Sequence, residues 1–148
     1  ALEKIFIVGD EVSEEGTIIS FNNYFQDADK QLDVEWVDLE DGMLLHYSSG
    51  STGKPKGVLH VHNAMIQQYQ TAKWVLDLKE DDIYWCTADP GWVTGTAYGI
   101  FGPWLHGTSS VIIGGRFNPD AWYEAIESYG VTVWYSAPTS FRMLMHRW

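Results

Sequence analysis

Short apolar runs recur along the chain, with helix-patterned stretches between them. "KIFIVG" (4–9), "MLLHY" (43–47), the start of "DDIYWCTADPGW" (81–92), "SSVIIGG" (109–115) and "VTVWYSAP" (131–138) each have the length and apolar density of a buried strand. Helices are predicted at 20–28, with Ser20 as cap, at 58–78, where Val58, Val61, Met65, Ala72 and Val75 form an apolar stripe, and at 95–107 despite its glycines. A further helix over 119–129 has Asn118 as its cap, Pro119 in its first turn and Gly130 as its stop. Strands alternating with helices at this spacing predict an α/β fold: a layered, largely parallel sheet with helices on both faces. Residues 29–42 are acidic and irregular and read as a surface connection. Ligands of such sheets sit beyond the carboxyl ends of strands. That marks two loops, the one after 43–47 and the break at Pro90-Gly91.

Composition narrows the class. Apolar residues make up 45% of the 148, and eight are tryptophan, which suits a packed core in one domain or part of one. A net charge of -11 excludes nucleic-acid binding by a basic face. Twelve of the twenty acidic residues precede Tyr47, opposed there only by Lys4 and Lys30, and read as a solvated surface. Cys86 is the single cysteine, so no disulfide forms within the chain, and a reducing, cytoplasmic setting is expected. Its apolar neighbours Ile83, Tyr84 and Trp85 point to an inert buried thiol. No apolar run approaches the ~18 residues of a membrane span. The chain starts at Ala1 and stops at Trp148, inside the helical pattern of Phe141, Leu144 and Met145. Residues 1–148 are therefore expected to be part of a larger domain, with oligomeric state left open.

The loop "HYSSGSTGKPKG" (46–57) has the strongest chemical character. Its glycines let the backbone turn N–H groups toward one point. Ser48, Ser49, Ser51 and Thr52 add hydroxyls, and Lys54 and Lys56 add positive charge to an acidic protein. Converging donors with lysine describe a phosphate cradle. A Walker A loop is ruled out, because only two residues separate Gly50 from Gly53 and Pro55 follows Lys54. This also disfavours a phosphate-loop kinase.

"YSSGSTGKPKGV" resembles the phosphate-loop signature of the adenylate-forming enzymes, which include acyl-CoA synthetases, luciferases and peptide-synthetase adenylation domains. "WCTADPGWVTGTAYGIFGPWLHGTSSVI" (85–112) is similar to the acetyl-CoA synthetase branch, and "VWYSAPTSFRMLM" (133–145) to that family's Tyr-x-Ala-Pro-Thr strand end. The resemblance implies a large N-terminal adenylation domain of which this chain is a part. It implies a ligase reaction in which a carboxylate attacks the α-phosphorus of ATP to give acyl-AMP, and coenzyme A then displaces AMP. ATP with Mg2+, acetate and coenzyme A are the implied small-molecule substrates. A propionyl- or other short-chain acyl-CoA synthetase and a truncated nucleotide-binding module are the alternatives.

By the same resemblance, Ser48, Ser49, Gly50, Ser51, Thr52, Gly53, Lys54 and Lys56 bind the ATP phosphates, with Lys54 the weaker member. Trp92, Val93 and Thr94 line the acyl pocket, and Thr94 and Asn118 meet coenzyme A. The residues alone leave two readings open at several positions. Trp92 suits a core aromatic as well as a pocket wall, and Asn118 a helix cap as well as a ligand contact. Asp89 before Pro90 reads as a turn-stabilising carboxylate. His60 and His62, two apart, diverge on a helix, and His46 precedes the loop, so no metal site is expected from them. Magnesium would arrive with ATP.

Overall fold

Tyr84 and Trp85 are neighbours in sequence and both are buried, one on each face of a three-stranded parallel sheet. In the computed structural model, which describes residues 3–9, 12–13, 15–26, 28–50 and 53–146, the chain divides into units 1–37 and 38–148.

In the first unit, β1 (Ile5–Ile7) pairs in parallel with β2 (Ile18–Ser20), and α1 (Phe21–Gln26) follows directly. The Ser20 hydroxyl accepts from the Asn23 N–H at 3.4 Å, the capping role expected of it. Phe6 packs against Tyr24 with ring centroids 5.0 Å apart.

The second unit opens with β3 (Gly42–Ser48) and β4 (Lys56–Val61), an antiparallel hairpin. Next come α2 (Ala64–Thr71) and a wider π-helical segment (Ala72–Leu76). β5 (Ile83–Cys86) leads to a continuous helical stretch: α3 (Val93–Thr96), a second π-helical segment (Ala97–Phe101) and α4 (Gly102–Leu105). β6 (Ser109–Val111), α5 (Pro119–Tyr129), β7 (Val133–Tyr135) and α6 (Pro138–Met145) complete it. The strand order is β6-β5-β7, with both pairings parallel.

Because side chains alternate along β5, Tyr84 packs with Ala72 and Leu78 from the π-helical side. Trp85 meets Trp122 of α5 at 5.0 Å and Trp134 of β7 at 6.1 Å, and Phe141 of α6 closes on Trp134 at 4.7 Å. Helices thus cover both faces of this sheet, which explains why its strands read as unbroken apolar runs. Burial also pushes the Cys86 thiol above its ordinary range, so little thiolate forms near neutral pH.

α5 follows its sequence signals closely. Asn118 Oδ1 accepts from the N–H groups of Asp120 and Ala121, Pro119 opens the first turn, and Gly130 ends the helix at φ +62°. The expected helix over 58–78 needs correction at its start. Residues 56–61 form β4, and the helix begins only at Ala64. Val58, Leu59 and Val61 fit an apolar strand as well as a helical stripe. The ladder to β3 decides between them, pairing Leu45 with Leu59 and His46 with Val58. The glycine-serine loop therefore closes a hairpin instead of joining a strand to a helix.

Candidate functional site

The loop that closes the hairpin is stapled at its base by two of the expected phosphate-binding residues. Ser48 and Lys56 stand opposite each other as the last pair of the β3–β4 register. Gly50 turns the chain at φ +57°. A Cβ there would lie 2.9 Å from the Lys54 carbonyl oxygen and 3.5 Å from the Lys56 stem, so the glycine lets the backbone fold over both lysine positions. Gly53 also takes a positive φ, +82°. Ser49, Lys54 and Lys56 are exposed, and Gly50 is half-buried. Ser51 and Thr52 lie outside the described residues.

The second loop leaves β5 and turns at Pro90-Gly91. Asp89 Oδ1 accepts from the Gly91 N–H at 2.7 Å, and its carbonyl accepts from the Trp92 N–H at 2.9 Å. Asp89 is thus the turn-stabilising carboxylate expected of it. A Cβ on Gly95 would overlap the Asp89 carbonyl, so this close crossing of α3 over the turn requires glycine. Sequence reasoning passed over Gly95, although "TGT" inside a helical stretch is a signal for such an approach. Trp92 is 73% exposed and not a core aromatic among the described residues.

The two loops meet. An open cavity of about 560 Å³ is lined by His46, Tyr47, Ser48, Ser49, Val58, His60, Gly91, Trp92 and Val93. Its size falls in the ~300–1,000 Å³ range of small-molecule sites. It brings expected phosphate donors, Ser48 and Ser49, together with expected acyl-pocket residues, Trp92 and Val93. Thr94 is half-buried in α3 and Asn118 stands at the start of α5; neither lines this cavity.

Sequence reasoning missed the histidines of the wall. His46 and His60 belong to facing strands, and their rings meet edge-on at 5.6 Å. His46 and Ser48, like Val58 and His60, are two residues apart and so share a face of the hairpin. The signal is present in the alternation, but the apolar stripe that starts at Val58 predicts a helix over the same residues. Among the described residues no group of three or more His, Cys, Asp or Glu is placed to hold a metal ion. The hydroxyl, N–H and lysine donors of the loop suit phosphate oxygens and not a bare cation. No helix among the described residues is long and apolar enough to cross a membrane.

Comparison with known proteins agrees with this geometry. The family described as AMP-binding enzyme matches residues 2–147. Acetyl-coenzyme A synthetase of Bacillus subtilis is 66% identical over 144 residues, covering 97% of this chain and 25% of that protein. The synthetase of the same name from Rubrobacter xylanophilus is 42% identical over 153 residues, covering 98% and 24%. Among solved structures, the Brucella canis acyl-CoA synthetase superposes with a TM-score of 0.86 at 31% identity, over 93% of this chain and 25% of that one. An anthranilate CoA ligase in complex with anthranoyl-AMP superposes at 0.82 with 32% identity, over 95% and 27%. The chain thus spans about a quarter of the length of these relatives. With a family match over nearly its whole length, the chain belongs to the AMP-binding enzymes.

Proposed function

We propose that this chain is a section of the large adenylation domain of an AMP-forming acetate–CoA ligase. The observation that supports this is the shared cavity of Ser48, Ser49, Trp92 and Val93. In the proposed reaction an acetate oxygen attacks the α-phosphorus of ATP, the bond to the β-phosphate oxygen breaks, and pyrophosphate leaves with the negative charge. No proton moves in this half. Catalysis then rests on positioning and charge neutralisation.

Backbone N–H groups and hydroxyls of 48–53 hold the β- and γ-phosphates, and Lys54 and Lys56 offset the charge that builds on the leaving group. Magnesium enters as part of the ATP substrate. Trp92 and Val93 wall the acyl end, where the bulk of the indole restricts chain length. In the second half the coenzyme A thiol gives up its proton to solvent, its sulfur bonds to the acetyl carbonyl carbon, and the bond from that carbon to the phosphate oxygen breaks as AMP departs with the electron pair. Thr94 borders that approach, and Asn118, whose Oδ1 is committed to capping α5, offers its Nδ2 amide to coenzyme A. The lone free Cys86 fits a reducing cytoplasm.

The test is pyrophosphate exchange into ATP by the full-length protein that carries this chain, with acetate, propionate or butyrate. Acetate-dependent exchange supports the reading. Preference for propionate moves the assignment to the neighbouring short-chain synthetases, and exchange with no carboxylate overturns it.

A further inference from the structure

One polar side-chain contact ties the phosphate-loop hairpin to the turn carrying Trp92. His46 Nε2 lies 3.1 Å from Thr96 Oγ1, fifty residues away. Thr96 is buried, and its hydroxyl sits 2.6 Å from the Pro90 carbonyl and 3.3 Å from the Trp92 carbonyl. A threonine hydroxyl has one hydrogen. The shorter contact assigns it to Pro90, so Thr96 Oγ1 accepts from His46, and Nε2 carries the imidazole proton. Nδ1 is then an acceptor, buried without a hydrogen-bond partner.

A buried unpartnered acceptor is costly, and an apolar ring of similar size would avoid the cost. Packing alone therefore gives no reason for imidazole at this position, whereas the Nε2–H donor does. The ring sits where positioning matters. It is two residues before Ser48, it lines the cavity shared with Trp92, and with His60 and Val93 it also lines an adjoining pocket of about 20 Å³.

We propose that His46 is a positioning residue that fixes the acyl-pocket wall relative to the phosphate loop through its hydrogen bond to Thr96. Thr96 clamps both ends of the Pro90-Gly91-Trp92 turn, donating its hydroxyl hydrogen to the Pro90 carbonyl and its backbone N–H to the Trp92 carbonyl at 3.0 Å, so His46 sets where the Trp92 indole stands with respect to Ser48 and Ser49. The distance between the carboxylate and the phosphate chain then depends on a residue that need touch neither. The role in substrate selection rests on the proposed acetate-activating function. The tie itself does not.

The experiment uses the full-length protein and three variants. His46→Phe keeps an aromatic ring and removes the donor. His46→Gln places an amide Nε2 near the position of the imidazole Nε2. Thr96→Val removes the acceptor from the other side. Loss of one such hydrogen bond predicts a rise of about three- to tenfold in the acetate KM for His46→Phe and Thr96→Val. The acetate-over-propionate preference should fall by a similar factor while the ATP KM stays within about twofold, and the double variant should cost no more than Thr96→Val alone, which also loses the hydroxyl's bond to Pro90. His46→Gln should recover most of the loss, which a general packing defect would not.

Hydrogen exchange of the 89–96 backbone reads the tie without turnover. Faster exchange in His46→Phe, restored in His46→Gln, is the expected result. Equal exchange in all three overturns the tie whatever the substrate proves to be. If the tie holds but the acetate KM and chain-length preference do not move, the selection role is overturned. A wild-type protein without acetate-dependent exchange counts against the proposed function instead. If His46→Phe fails to fold, Thr96→Val and His46→Gln decide the question by the same two readouts.

Discussion

Lys56 closes the hairpin opposite Ser48, with its stem against Gly50, and its ammonium is exposed where the proposed phosphates would lie. Charge-assisted contacts of this kind contribute ~1.5–3 kcal/mol, so Lys56→Ala should lower ATP-dependent turnover by about ten- to a hundredfold. Pyrophosphate exchange in the full-length protein measures it, and unchanged rates would remove Lys56 from the cradle. Trp92 makes a different prediction. Its exposure means that truncation removes pocket wall more than core. Trp92→Ala should broaden use toward propionate and butyrate with little change in thermal stability. A profile identical to the parent's would return Trp92 to a purely structural role.

At the scale of elements, two contacts separate local from long-range determinants. Asn118 caps α5, and losing that acceptor in Asn118→Ala should cost about 1 kcal/mol, read as a lower urea midpoint. Asn118→Asp keeps the acceptor and removes the Nδ2 amide. If the amide contacts coenzyme A, this variant should fold as stably as the parent and show a raised KM for coenzyme A alone. Gly95 belongs to the crossing of α3 over the Asp89 turn. Gly95→Ala drives a methyl group into backbone that cannot rotate away, with a cost of about 1–3 kcal/mol or more. The expected outcome is a lower melting temperature together with a disturbed acyl pocket, since the displaced turn carries Trp92.

For the molecule as a whole, apolar exposure is the leading feature. Trp36, Trp74, Trp104 and Ile112 are 91%, 74%, 69% and 88% exposed. Apolar surface on that scale favours association. Residues 1–148 expressed alone are expected to self-associate in light scattering and to make no acyl-AMP, because catalysis by positioning needs all its positioning groups. Extension of the chain along its natural sequence should restore both solubility and acetate-dependent exchange. Activity in residues 1–148 alone would refute the proposal that they are a section of the ligase.

The amino-acid sequence by itself determined the features whose physics is local. Asn118, Pro119 and Gly130 define α5, because a cap, a fixed φ and a left-handed stop act within a turn of the chain. The apolar runs at 83–86 and 133–135 define β5 and β7, because both faces of their sheet are buried. The clustered glycines, hydroxyls and lysines of 48–57 mark a turn rich in hydrogen-bond donors, the composition on which the proposed phosphate role rests. What only the tertiary structure decided is whatever depends on distant partners. Residues 56–61 suit helix and strand alike, and the ladder to β3 chose strand. His46 gave no sign of a role until folding set Thr96, fifty residues on, within 3.1 Å of its ring. The cavity has the same origin: its walls come from the β3–β4 hairpin and from the turn at 91–93, which are distant in sequence, and no local window records their meeting. Ladder pairing and packing across loops are satisfied only when the whole unit closes, so they belong to the fold and not to any short stretch of the sequence.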